Sequence, residues 1–301
     1  MSIVLAHKTV ALIDQMIYED QGARFRQRLE KLIPDAKDAF EGKKDDFRSH
    51  LGASMIGREC PRELWYNFHW AKAPSFEGRM LRLFNRGHLE EPRLVAMLQM
   101  IGCQVWCHDE NGNQFRISDV GGHFGSAIDA VIEGCPDLPN HPILGEFKTH
   151  NDKSFKKLQT GGVRAVKMEH FVQMQIYMNK LNLRYALYLA VNKNDDMLYG
   201  EIVEYDPTVA QQYLERAHRI ILQNTIPARI NESIAFYKCQ FCDFKRICHM
   251  NEEPAMNCRT CAGSVARPDG TFVCMKHQAT LPKEVQLTGC QDYDKKMEFT
   301  L

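Results

Sequence analysis

The chain has no surplus of charge of either sign: among its 301 residues, 38 Lys and Arg face 38 Asp and Glu. That balance excludes a globally basic nucleic-acid binder, but not a locally basic groove, because net charge says nothing about distribution. Long hydrophobic runs are missing too, and no stretch approaches the roughly 18 consecutive apolar residues that a membrane span needs. The opening residues MSIVLAHKTVALIDQMIYEDQ lack a basic segment followed by an apolar one and a small-residue cleavage site, so no secretory signal is expected. Repeats and low-complexity segments are absent. With 25% charged and 44% hydrophobic residues, usage is that of an ordinary globular chain, which excludes disordered, collagen-like and fibrous classes. The length suffices for one large or two modest domains with a buried core.

Cysteine is what the chain has in unusual number. There are eleven, an odd count in a chain too large to need disulfides, and seven lie in the last 63 residues. In a reducing cytoplasm, the expected setting, clustered cysteines bind metal more often than they pair with one another.

Periodicity orders the rest. Residues 8–48 read as helices on the spacing of Val10, Leu12, Ile13, Met16 and Ile17, with Pro34 separating two of them. Residues 53–100 form a second helical block. HFGSAIDAVIEG and PILGEFKTH then read as two strands, joined by the turn-rich GCPDLPNHP. A long helical pattern runs from about Ser154 to Leu181, a hairpin turns at NKNDD, and a helix begins at Pro207. The expected fold class is α/β or α+β, with helices packed on a central mixed sheet. The expected organisation is a helical region over 1–52, a core over 53–250 and a small metal-bound module over 251–301. Regular patterning stops after about Phe236, so metals are expected to organise the tail.

Asp129 falls in the first of the two middle strands, and Glu146 and Lys148 stand two apart in the second. Period two puts Glu146 and Lys148 on one sheet face. If the strands pair, two carboxylates meet at one divalent cation with an ammonium beside them. Hard Mg²⁺ or Mn²⁺ takes oxygen ligands, polarises phosphate and lowers the pKa of bound water, while Lys orients that water or neutralises developing charge. Between Phe147 and Lys193, nine Lys or Arg oppose two acids, an excess of seven suited to phosphate contacts. Of these, Lys153, Lys156 and Lys157 are the candidate DNA-contacting residues.

From about Ser54 to Cys248 the chain resembles the PD-(D/E)XK nuclease superfamily, in its RecB-like and lambda-exonuclease-like branch. Gly125, Ser126 and Asp129 match the glycine-then-aspartate strand, and Glu146-Phe147-Lys148 matches the Glu-x-Lys strand. Gly87-His88-Leu89-Glu90-Glu91-Pro92 resembles the helix that presents a further metal-linked acid, with Glu91 the better match and Glu90 the alternative. Gln173 and Tyr177 match the Gln-x-x-x-Tyr helix of the RecB-like branch, and one helical turn puts both on the same face. The resemblance implies a restriction-endonuclease-like core and a Mg²⁺- or Mn²⁺-dependent deoxyribonuclease that acts on DNA ends in recombination, repair or phage DNA processing. An endonuclease of the same fold and a non-catalytic DNA-end-binding scaffold are the alternatives.

Cys239-x2-Cys242-x5-Cys248 is one ligand short of a tetrahedral or cubane site. In the iron-sulfur subset of RecB-like nucleases one cysteine precedes the core and three follow it. That resemblance implies Cys60 as the fourth ligand and a 4Fe-4S cluster, with zinc the rival. His249 is expected to be a neighbour of this set. Cys258-x2-Cys261, followed by Cys274 and Cys290, looks like a small zinc ribbon, with His277 competing with Cys290 for the fourth place. Similar cysteine-rich tails occur on RecB-like nucleases carried by bacteriophages. Cys103, Cys107 and Cys135 are expected to be packing residues.

Overall fold

The computed structural model describes residues 3–35 and 47–296. In chain order the helices and strands are α1 (His7–Asp20), α2 (Ala23–Leu32), β1 (Leu51–Gly52), α3 (Pro61–Phe68), α4 (Gly78–Met100), β2 (Gln104–Trp106), β3 (Arg116–Asp119), β4 (Phe124–Ala127), β5 (Ala130–Glu133) and β6 (Ile143–His150). Then follow α5 (Asp152–Val166), α6 (Met168–Leu181), β7 (Tyr185–Asn192), β8 (Leu198–Glu204), α7 (Pro207–Leu222), α8 (Tyr237–Gln240), α9 (Lys245–Met250), β9 (Ser264–Ala266), β10 (Phe272–Cys274), β11 (Ala279–Thr280) and α10 (Lys283–Gln286). Mixed sheets flanked by helices make this the expected α/β class.

Two compact units share the described residues: one within Met1–Lys43, Phe76–Ile117 and Ala127–Ala210, the other within Lys44–Ser75, Ser118–Ser126 and Gln211–Leu301. The first is built on a five-stranded sheet in the order β2-β5-β6-β7-β8. Only β6 and β7 are parallel, paired from Leu144↔Ala186 to His150↔Asn192, and α5 and α6 form the crossover that a parallel pair requires. β6 is the central strand with β7 beside it, and Ile143, Leu144, Leu187 and Leu189 are fully buried. Each such side chain contributes roughly 1.5–3 kcal/mol of apolar burial. Cys103 and Cys135 belong to this core, packed with Leu94, Leu98, Ile132 and Phe147.

In the second unit β1 runs parallel to β4 through Leu51↔Phe124 and Gly52↔Gly125. The short sheet β11-β10-β9 closes the C-terminal part. Arg259 is buried in this unit, its guanidinium 3.7 Å from the Trp70 ring centroid and 4.3 Å from that of Phe272. It donates to the carbonyls of Ser49 and Phe68, both at 3.0 Å, and so holds the 258–261 turn against α3. Burial without a facing carboxylate lowers its pKa to about 9.

Four elements depart from the sequence expectations. The first helical run breaks at Gln21–Gly22, both at positive φ, ahead of Pro34, which lies in a 3-10 turn. The Asp20 carboxylate accepts from the amides of Gly22, Ala23 and Arg24, which caps the second helix more effectively than a proline would end the first. Residues 53–100 hold α3 and α4 separated by a loop, with β1 just before them. HFGSAIDAVIEG is two strands in two sheets, so Asp129 occupies the break between β4 and β5 and not a strand. Finally, the helical pattern over 154–181 is two helices, broken by Gly162 at φ 70° and ψ 169° and by the non-helical Lys167.

Candidate functional site

The break at Asp129 is what brings the carboxylates together. β5 pairs with β6 through Ala130↔Gly145 and Val131↔Leu144, so one step further along that register Asp129 stands opposite Glu146. There its carboxylate takes over the ladder and accepts the Phe147 amide at 2.8 Å. Lys148 lies two residues on, its ammonium 3.6 Å from Asp129 Oδ2 and paired with Glu146 Oε1. Glu146 is fully buried. Burial pushes its carboxyl up to about 7 against the lowering pull of Lys148, with Asp129 and Glu91 adding to the rise. Burial opposes the charge of Lys148, but the two carboxylates outweigh it and shift its pKa upward, so the group stays an ammonium.

Helix α6 supplies the second layer. Gln173 Nε2 donates to Tyr177 Oη at 2.8 Å and reaches toward Glu146 Oε2 at 3.4 Å, while Tyr177 donates to the Ala127 carbonyl at 2.9 Å. The phenol thus ties α6 to the chain just before Asp129, and the amide steadies Glu146. Glu91, on α4, lies 3.8 Å from His88 Nδ1, and its charge acts on both Glu146 and Cys107. Glu90 turns to Arg93 instead, at 3.2 Å. One group bears on metal binding: Glu146 is buried, and Oε1 has the Lys148 ammonium as its partner. A buried carboxyl on which Asp129 and Glu91 also act is the oxygen-donor chemistry that a hard divalent cation takes.

Beside these residues lies a cavity of ≈ 470 Å³ lined by Glu90, Glu91, Lys148, His150, Lys167, His170 and Lys193 among others. Lys153, Lys156 and Lys157 are not among its lining residues; they are exposed on α5, where Lys156 pairs with Asp152 at 2.8 Å. Sequence reading counted Lys167 and Lys193 only toward a local charge excess and passed over His150 and His170. Nothing in their spacing announces the cavity, because the kink at Lys167 and the β6–β7 register create it.

The other unit gathers the remaining cysteines into two sets. Cys60 stands at the N-cap position of α3, ahead of Pro61, and lines one cavity with Cys239, Cys242 and Cys248. Burial raises the pKa of the Cys242 thiol to about 12, and Cys60 and Cys248 add to it. Arg62 approaches Cys248 Sγ at 3.9 Å, and Arg229 donates to the Cys248 carbonyl at 2.7 Å. His249 also lines this cavity, its Nε2 buried with no hydrogen-bond partner among the described residues. Cys258, Cys261, Cys274 and Cys290 line a second cavity, and the last three all act on the Cys258 thiol, whose pKa burial raises. His277 stands there too, 4.0 Å from Cys290 Sγ and 3.2 Å from Asp292. Among the described residues, no group of three or more His, Cys, Asp or Glu side chains stands close enough to hold a metal ion as placed.

A mixed sheet with an aspartate, a glutamate and a lysine meeting where β5 pairs with β6 defines an α/β protein with an acidic, lysine-bearing cleft. No protein-family model matches the chain, and no curated protein does. Among solved structures it is similar to SSO0001, at 16% identity and a TM-score of 0.39 over 74% of this chain and 93% of that one. It is also similar to an alkaline exonuclease, LHK-Exo, from Laribacter hongkongensis, at 15% identity and a TM-score of 0.42 over 57% of this chain and 86% of that one. The same exonuclease in complex with dAMP gives 14% and 0.40 over the same shares. The likeness is one of outline. No helix among the described residues is long and apolar enough to cross a membrane.

Proposed function

We propose that the chain is a metal-dependent deoxyribonuclease that hydrolyses phosphodiester bonds at DNA ends. The observation that carries this reading is the meeting of Asp129, Glu146 and Lys148 at the β5–β6–β7 junction, with Gln173 and Tyr177 bracing it from α6. Asp129 and Glu146, with Glu91, are the residues that would hold Mg²⁺ or Mn²⁺. When bound, such a cation polarises the phosphate and lowers the pKa of its water. Lys148, held as an ammonium by the two carboxylates, places a positive charge where the phosphoryl oxygens develop theirs. Gln173 fixes the rotamer of Glu146. Lys167 and Lys193 supply phosphate-binding charge along the cleft, and Lys153, Lys156 and Lys157 extend it over α5.

Cys60, Cys239, Cys242 and Cys248 are assigned to a 4Fe-4S cluster, and Cys258, Cys261, Cys274 and Cys290 to zinc. The observation behind each assignment is that its four cysteines line one cavity. Preference for ends over internal bonds rests on the RecB-like resemblance alone. Purified protein with Mg²⁺ or Mn²⁺ is expected to degrade linear DNA and spare covalently closed circles, and Lys148→Ala to slow cleavage about a hundredfold. Wild-type protein that leaves linear DNA intact, or a Lys148→Ala variant as fast as wild type, defeats the enzyme reading. Opening of the circles converts it to an endonuclease.

A further inference from the structure

Along the cleft wall runs a chain of hydrogen bonds that crosses four elements. Lys167 Nζ lies 2.6 Å from Ser154 Oγ, Ser154 Oγ 3.2 Å from His150 Nδ1, His150 Nε2 2.8 Å from Tyr188 Oη, and Tyr188 Oη 2.9 Å from His170 Nδ1. Both ends, Lys167 and His170, line the cleft. Five polar groups are thereby organised for no purpose that the carboxylate site uses.

The direction of the chain follows from its first member. An ammonium has only donors, so Lys167 donates to Ser154. The serine proton then has His150 Nδ1 as its acceptor. The reverse arrangement, with Nδ1–H pointing at Ser154, would strand that proton and aim a second positive dipole end at the ammonium. With Nδ1 accepting, neutral His150 carries its proton on Nε2 and donates to Tyr188 Oη, and Tyr188 donates to His170 Nδ1. Burial and the surrounding Lys148, Lys167 and Lys193 hold the His150 pKa down to about 4, and burial with Lys148 and His150 brings His170 to about 2, so both rings are neutral. His170 is left with its proton on Nε2, which has no partner among the described residues and belongs to a ring that lines the cleft.

We infer that this relay presets His170 as a neutral N–H donor which, with Lys167 and Lys193, binds a phosphate oxygen of the nucleic acid beside the carboxylate site. The inference deepens the nuclease reading and rests on it for the identity of the ligand. The relay gives the donor a fixed proton without a third full charge, so a phosphate is held without a countercharge that must later be released. Tyr188 is then a positioning residue: it touches no substrate and acts by setting the tautomer of His170. It is placed for this because Tyr188 lies in register with Glu146, across the parallel pair.

The test reads the tautomer and the ligand separately from cleavage. In protein labelled with ¹⁵N-histidine at pH 7, with His170→Gln used for assignment, His170 is expected to show an unprotonated Nδ1 and a protonated Nε2. Tyr188→Phe is expected to turn it into a mixture of tautomers. Inorganic phosphate, titrated into the wild type, is expected to shift the His170 resonances. DNA bound in Ca²⁺ is expected to weaken about tenfold in His170→Phe and to recover in His170→Gln, whose amide replaces the Nε2 donor. A proton on Nδ1, an imidazolium at pH 7, or phosphate that leaves His170 unmoved overturns the inference. A protein that binds phosphate at His170 but cuts no DNA upholds the site and overturns only the nuclease reading.

Discussion

Glu146 and His150 stand four residues apart on β6, both buried, and their titrations pull stability in opposite directions. Burial, with Lys167, Lys148 and Lys193 facing it, lowers the His150 pKa from 6.5 to about 4, while Tyr188, His170 and Ser154 surround it as neutral partners. The unfolded chain therefore binds the extra proton first as pH falls. The contribution of His150 is complete above pH 6.5 and drains away toward pH 4. Glu146 runs the other way, because its folded pKa of about 7 lies above its ordinary 4.5. The cost of burying its charge is absent at low pH and grows as pH rises through that window. Urea unfolding at pH 7.5 and pH 5.0 separates the two. The stability advantage of wild type over His150→Gln is expected to shrink by about 2 kcal/mol on acidification, whereas its advantage over Glu146→Gln grows. An unchanged His150 difference would mean that the imidazole titrates normally in the fold. At this scale the Glu146–Lys148 spacing was plain in the sequence, because period two is a property of any strand. The His150–Tyr188–His170 contact was not, since it depends on which residues of β6 and β7 fall in register.

Gly162 decides where α6 points. Its φ of 70° and ψ of 169° end one helix and let the chain turn at Lys167 into the next, which carries His170, Gln173 and Tyr177. Apolar periodicity continues through both helices because both bury residues, among them Phe155, Leu158, Phe171 and Met174, and so the sequence pattern reads as a single element. A glycine within a helical pattern is compatible with an unbroken helix, and only the positive φ distinguishes the two cases. The same limit hid the division of HFGSAIDAVIEG, where β-rich residues continue while the chain changes sheets. The hairpin β7–β8 and helix α7 were legible because their turn and first-turn signals are local. A Cβ at Gly162 would lie 2.9 Å from Ile3 Cγ1 on a backbone that L side chains rarely adopt. Gly162→Ala is expected to cost roughly 1–3 kcal/mol in thermal unfolding and to weaken DNA binding by moving α6. Gly87→Ala makes the contrast: it lies within α4 and a Cβ there meets nothing within 4 Å, so it is expected to stabilise by about 0.5–1 kcal/mol. A Gly162→Ala protein as stable as wild type would show that the break is not held by glycine.

Over the whole molecule the cysteines sort by unit. Cys103, Cys107 and Cys135 lie in the unit of the five-stranded sheet, and the other eight line two cavities in the other unit. Burial raises the pKa of the Cys239 and Cys242 thiols in one set and of the Cys258 thiol in the other. A bound metal would draw off those protons, and its binding energy would become folding energy for a segment whose one large fully buried apolar side chain is Phe272. The Arg259 cage explains how the 258–261 turn is anchored, but it satisfies no thiol. Metal content therefore tests the sorting directly. Protein purified anaerobically is expected to be brown, with about four irons and about one zinc per chain. Cys242→Ser is expected to lose the colour and keep the zinc, Cys258→Ser to lose the zinc and keep the colour, and Cys103→Ser to keep both. Removing zinc is further expected to expose residues 251–296 to proteolysis while leaving the five-stranded sheet protected. Colourless wild-type protein carrying zinc alone would reassign the Cys60 set to zinc. Loss of both metals from Cys258→Ser would mean that the two sites do not form independently.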